Sequence, residues 1–507
     1  MININGNQLT FEQIQKVSFR QEEISLSSLA VKRVTESRKK IDKIIKSDIP
    51  CYGINTGFGI FANKKISLSE SLQLNRNLIL SHAIGTGEQL SDEVVRVAML
   101  IRVNTLAKGF SGIRLEIIQI LIEMLNKGVT PIILSQGSLG SSGDLCMLAQ
   151  MALVLTRDEK NLDSESGKAE YDGQLLTGKE AMERAGIPRF ILEEKEGLAL
   201  INGATFSAAL ASINILNTLK AIELSKMSLC LTLEGMMGRS IPFDERIQKL
   251  RGYTGQIQIA KQIRGIIHGS TFIDHLKQIQ DPYSIRCSPQ VHGAIMDTVE
   301  FVRNQMVKEI NAATDNPLIV GNDVLSGGNF HGEPIALGMD YLSIAMTELA
   351  AISERRIFLL TDEHLNNGLP PMLVDPSTKV GLNSGMMIPQ YTAASLVLEN
   401  RTLSTPDSVQ SLPTSAGQED HNANSMTAAR HTYQIIKNTL FVLTLELYIA
   451  TRAINLRMIE YPNLHLGDGT RLIFDQIRSI IPYQAEDTLW NAQIDKLYKS
   501  ELVEKMS

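Results

Sequence analysis

The sequence predicts a mostly all-α protein: a central bundle of long helices with a smaller, loop-rich N-terminal region. Three observations carry that prediction. Residues 204–237, 340–361 and 426–458 are rich in Ala, Leu, Ile and Met, hold few Gly or Pro, and exceed the usual length of a soluble helix. They are apolar around much of their circumference, the pattern of helices that pack against one another rather than against water. Gly and Pro gather instead between such stretches, at 52–59, 137–143, 280–290, 327–333 and 412–421, where loops on a rigid scaffold place functional side chains.

The remaining elements follow in order. SDEVVRVAMLIRVNTLA (91–107) spaces apolar residues helically behind a Ser91 cap, with Asp92 and Glu93 suited to the first turn. GIRLEIIQILIEMLNK (112–127) repeats the pattern and stops at Gly128, with Pro131 soon after. Residues 145–155 form a short apolar run expected to be helical, and the polar segment 157–172 is expected to be a solvated surface excursion. No internal repeat, low-complexity tract or linker divides the chain. The expected organisation is residues 1–200 as the N-terminal loop and helix region and 201–507 as the bundle, one continuous structural unit.

Composition narrows the function classes. Of 507 residues, 43% are hydrophobic, so a large core is possible and wholesale disorder is excluded. Forty-nine basic against 55 acidic side chains give a formal net charge of -6, which supplies no field for gripping nucleic-acid phosphates. The four cysteines, Cys51, Cys146, Cys230 and Cys287, lie far apart without a CxxC pair, as suits a reducing compartment. The N-terminus lacks a basic start followed by an apolar run, and no segment offers about 20 uninterrupted apolar residues. A soluble, cytoplasmic protein with neither membrane nor nucleic-acid partners is expected.

Several motifs tempt and fail. Residues 57–62 (GFGIFA) fit a loose dinucleotide fingerprint but follow a loop composition, not a strand. Residues 173–179 (GQLLTGK) begin like a phosphate loop, yet Glu180 stands where a magnesium-binding hydroxyl is required. No HExxH places two of the nine histidines on one helix face, so a metal requirement has no support. Ser138, Ser141 and Ser142 sit in a glycine-rich turn, but the GxSxG of a serine hydrolase is absent.

Taken alone, Ser141-Ser142-Gly143-Asp144 is a turn, because Gly and Ser dominate turns. Its context is more specific: YGINTGFG (52–59), LSHAIGTGE (80–88), GFSGIR (109–114), GSLGSSGDL (137–145), KEGLALING (195–203), QDPYSIRC (280–287), TDNPL (314–318), SGGNFHGEP (326–334), SERRI (353–357) and LPTSAGQEDH (412–421). In that order the strings resemble the aromatic amino-acid ammonia-lyases, and among them the histidine enzymes, from about residue 52 to 458.

The resemblance implies that Ser141-Ser142-Gly143 cyclises autocatalytically into 4-methylidene-imidazol-5-one (MIO), with no metal or nucleotide required. Glycine leaves the strained closed backbone unobstructed, and the Ser142 hydroxyl departs to leave a methylene. It further implies Tyr52 as the base that takes the β-proton and Tyr283 as a partner in proton handling. Arg286 would grip the substrate carboxylate, Asn202 would bond the ring and the substrate, and Gln280 would line the pocket. Phe330 would supply an aromatic wall. His82 and Glu419 match the histidine type, since an imidazole presents N–H donors that a carboxylate and a histidine can orient. Expected from this are conversion of L-histidine to trans-urocanate and ammonia, the first step of histidine degradation, and a homotetramer with shared active sites.

The sequence departs from the family pattern at Ser141, where Ala is usual, at Cys146-Met147, at Ala204 and at Asn422-Ala423-Asn424. Two alternatives stay open: a lyase or 2,3-aminomutase for another aromatic amino acid, and a catalytically inactive helical homologue acting as a binding or scaffold protein.

Overall fold

The computed structural model describes residues 1–19, 21–46, 51, 53–57, 66–379 and 381–504. The chain folds into two compact units, the first comprising residues 1–213, 303–340 and 406–430, the second 214–302, 341–405 and 431–507. Two later segments thus join the N-terminal residues, where the sequence suggested a linear division near residue 200.

Helices dominate as expected. The long ones are Thr205–Gly235, Ser288–Glu309, Glu333–Thr361 and Ser425–Glu460. Glu333–Thr361 and Ser425–Glu460 are long and apolar enough to cross a membrane by length and composition, but 67% and 83% of their most apolar windows are buried inside the protein. Protein contacts therefore cover the apolar surface that gives these helices their stability. Glu333–Thr361 begins seven residues earlier than the sequence suggested, because Pro334 falls in its first turn, where a missing N–H costs nothing.

In the first unit, Asp92–Ala107 is buried on every side from Val94 onward. Backbone carbonyls of Val17 and Leu125 accept the buried Arg96 guanidinium, at 3.0 and 3.1 Å. Leu115–Lys127 starts three residues late, after Gly112 at φ +67°, and ends at Gly128 in the left-handed conformation.

Residues 157–172 are a correction. Lys168–Tyr171 pairs with Gln174–Thr177 and with Thr130–Pro131 in a three-stranded antiparallel sheet, and Ala169 is fully buried. Asp172-Gly173, both at positive φ, close the hairpin. The Gly173–Lys179 string is therefore a strand running into a helix capped by Thr177, with no phosphate cradle. Residues 58–62 of the rejected dinucleotide string lie outside the described residues.

The second unit buries a polar knot among three helices. Glu446 accepts from Arg356 Nη2 at 2.8 Å and from the hydroxyls of Ser228, Thr232 and Ser353 at 2.9, 2.8 and 2.6 Å, with both charged side chains fully enclosed. Every lone pair of that carboxylate has a donor, which is what makes its burial tolerable.

Candidate active site

The Ser141–Gly143 turn lies between the strand Leu134–Gln136 and the helix Leu145–Leu155 in the first unit. Gly143 sits at φ +75°, and a Cβ there would fall 2.0 Å from the Gly203 carbonyl carbon, so only glycine fits. Backbone bonds clamp the two segments: the Asp144 N–H donates to Gly203 O at 2.9 Å, and the Gly203 N–H donates to Ser142 O at 3.3 Å. The Asn202 amide donates to the same Ser142 carbonyl at 3.4 Å. Asn202 Oδ1, though buried, accepts no hydrogen bond from the described residues.

Beneath the turn, the Asp144 carboxylate is fully buried and accepts from Ser138 Oγ at 2.7 Å, Ser207 Oγ at 2.8 Å and the Ser207 N–H at 2.7 Å. Burial holds its carboxyl above the usual range, against the pull of those donors. Ser207 Oγ also meets Ser425 Oγ at 2.9 Å, so the floor of the turn draws on a third chain segment.

Ser141, Ser142, Asn202, Asn316, Phe330, His331, Glu419 and His421 line one cavity of about 600 Å³. Glu419 reaches it from a loop held by a short bridge between Thr414 and Glu419. Its carboxylate accepts from Ser142 Oγ at 2.8 Å, Ser141 Oγ at 2.9 Å and Thr414 Oγ1 at 3.3 Å. His82 ends the helix Leu68–His82, and its Nδ1 lies 3.0 Å from Ser81 Oγ. Burial pushes the imidazole below its usual value, while the Leu78 carbonyl and the Glu419 carboxylate favour the charged ring. His331 stacks on His421, with ring centroids 5.8 Å apart.

Sequence reasoning did not single out Thr414, Asn316, His331 or His421 within the quoted strings, and Ser207 had no signal at all. Of the remaining expected residues, Gln280, Tyr283 and Arg286 meet in the second unit. The Arg286 guanidinium covers the Tyr283 ring at 4.7 Å from its centroid and donates to Gln280 Oε1. Tyr283 is 70% exposed. Tyr52 lies outside the described residues. No group of three or more His, Cys, Asp or Glu able to hold a metal occurs among the described residues.

Apart from Ser141, which lines the cavity, the departures around the turn are structural. Cys146 and Met147 are buried in the helix Leu145–Leu155, and burial pushes the Cys146 thiol up to about 11. Asn424 adopts φ +56°, a conformation asparagine tolerates, and its side chain donates to the Asp407 and Gln410 carbonyls at 3.0 Å each. Asn422 is fully buried and donates to the Leu412 carbonyl, and Ala204 is buried beside Gly203. None of them lines the cavity.

The family model described as aromatic amino acid lyase matches residues 9–479. The chain belongs to this family. The lyase is 47% identical over 488 residues to a histidine ammonia-lyase of Caldanaerobacter subterraneus subsp. tengcongensis, an alignment covering 96% of this chain and 93% of the relative. Among solved structures it resembles histidine ammonia-lyase from Trypanosoma cruzi, with 35% identity, a TM-score of 0.89, and 100% and 94% of the two chains covered. It also resembles Pantoea agglomerans phenylalanine aminomutase, with 31% identity, a TM-score of 0.92 and 99% of each chain covered. The protein is a carbon–nitrogen lyase of helical fold.

Proposed function

We propose that the lyase deaminates L-histidine to trans-urocanate and ammonia through an MIO group formed from Ser141-Ser142-Gly143. The observation that carries this reading is Glu419: a carboxylate fixed by three hydroxyls, on the same cavity as the turn. Such an acceptor suits the N–H of an imidazole, whereas beside a phenyl ring the Glu419 oxygen that Ser142 vacates on closure would lack a donor at a cost.

The residues present fit the group. Gly143 has no Cβ to obstruct ring closure, and the Ser142 carbonyl already holds two donors, Gly203 N–H and the Asn202 amide. Closure joins the Gly143 nitrogen to the Ser141 carbonyl carbon. One water takes that carbonyl oxygen with the amide protons of Ser142 and Gly143, and the other takes the Ser142 hydroxyl with its α-proton. Once formed, the group supplies an electrophilic methylene that turns the substrate amine into a leaving group. The Ser142 carbonyl is retained, so its two donors draw electron density in the direction the chemistry needs.

The other roles belong to side chains. Glu419 and His82 orient the imidazole, Phe330 walls it, and the orphaned Asn202 Oδ1 offers an acceptor for the amine. Arg286 binds the carboxylate, Gln280 lines the pocket, Tyr283 helps to move protons, and Tyr52 removes the β-proton as the C–N bond breaks. We further place the protein in the cytoplasm as a homotetramer in histidine catabolism, on the strength of the family resemblance.

The likeness to an aminomutase of TM-score 0.92 favours one second reading, in which ammonia is returned to the β-carbon. Incubation with histidine, tyrosine and phenylalanine separates the two. Free ammonia and the conjugated acrylate from histidine are expected; a β-amino acid, or turnover of the other substrates alone, would overturn the proposal. Intact mass should lie about 36 Da below the encoded value by the stoichiometry of two lost waters. Ser142→Ala, which lacks the hydroxyl that leaves, should run at its own encoded mass and be inactive, and a full-mass wild-type protein would exclude the MIO route.

A further inference from the structure

The family's usual alanine is replaced here by Ser141, whose hydroxyl faces the carboxylate that reads the substrate. Before cyclisation the two oxygens of Glu419 are held differently. Oε1 accepts from Ser142 Oγ at 2.8 Å, and Oε2 accepts from Ser141 Oγ at 2.9 Å and Thr414 Oγ1 at 3.3 Å. The Ser142 hydroxyl leaves as water during closure, whereas the Ser141 Oγ takes part in neither dehydration. Closure therefore strips the donor from Oε1 and leaves those on Oε2.

We infer that Ser141 is a positioning residue: its hydroxyl pins Oε2 of Glu419 so that Oε1, vacated when Ser142 dehydrates, is presented to the substrate's imidazole N–H. The role rests on the histidine reading above and deepens it. Two donors on one oxygen fix the carboxylate plane, and a hydrogen bond to an ionised group is about twice as strong as a neutral one. With alanine at 141, the Thr414 hydroxyl alone would hold that oxygen, at the longer distance, and the carboxylate would lose orientation that must be recovered on binding substrate. Asn202 and His331 also border the cavity but make no bond to Glu419 that could substitute for Ser141.

A double-mutant cycle tests this on the full-length protein. Ser141→Ala should still lose about 36 Da, because only the backbone carbonyl of residue 141 enters the ring. Its kcat/KM for histidine should fall roughly tenfold, as for loss of one hydrogen bond to a charged group, with the larger part in KM. Ser141→Thr keeps a hydroxyl and should recover most of the loss. In a Glu419→Gln background, Ser141→Ala should add less than about a threefold further loss, since the interaction it removes is already altered. Unchanged kcat/KM in Ser141→Ala, equal losses in both backgrounds, or a Ser141→Ala chain at full mass would each overturn the inference. A cyclised wild-type protein that leaves histidine untouched would instead overturn the substrate reading, and this role with it.

Discussion

Asn202 faces two ways at the turn: its amide donates to the Ser142 carbonyl while its buried Oδ1 accepts from none of the described residues. A buried acceptor without a donor costs free energy that a bound amine would return. Asn202→Ala should therefore lower kcat by about 10²–10³-fold, the usual effect of removing one preorganised donor, while the mass deficit of the wild-type protein persists. Wild-type kcat in that variant would show that the amide is not part of the chemistry. Cys146 gives a contrasting expectation. Burial pushes its thiol up to about 11 and holds that of Cys230 well above its ordinary value, so neither supplies thiolate near neutrality. Iodoacetamide at pH 8 should leave both unmodified in the folded protein, with all four cysteines alkylated after denaturation. Rapid labelling of Cys146 in the native state would contradict its burial in the helix Leu145–Leu155.

At the scale of elements, the Glu446 knot ties three helices together. Glu446→Ala leaves Arg356 enclosed without its counter-charge and three hydroxyls without their acceptor, and should cost about 3–5 kcal/mol in urea unfolding. A change below about 1 kcal/mol would mean that water replaces the carboxylate. Helix interiors were legible in the sequence because apolar spacing survives along them; helix ends were less so. Pro334 hid the first turn of Glu333–Thr361, and Gly112 delayed Leu115–Lys127. The strand Lys168–Tyr171 was missed because its polar residues outnumber the one inward Ala169, although Asp172-Gly173 announced the hairpin. The Ser141–Gly143 turn and Glu419 were legible as strings. The support that Ser207, itself bonded to Ser425, gives Asp144 was not, since contacts between segments 63 and 218 residues apart leave no local pattern.

For the whole molecule, the second unit exposes Phe301, Tyr341 and Ile344 around a groove of about 740 Å³, apolar surface that association between copies would remove from water. Sedimentation at micromolar concentration should give a particle of four chains, and a monomer with full activity would exclude shared sites. Prolonged treatment with a chelator should leave turnover unchanged, because no step proposed here needs a metal; loss that is restored by a divalent ion would overturn that. The clamp on Ser142 carries one more consequence. Its carbonyl accepts the Gly203 N–H, and Asp144 beside it is held by Ser207, itself bonded to Ser425, so this backbone-centred clamp is not in place until distant parts of the chain have come together. If ring closure depends on that clamp, the reactive centre works as a certificate of maturation: nascent or misassembled chains stay chemically inert, and the mass of each molecule records whether it ever reached its native state.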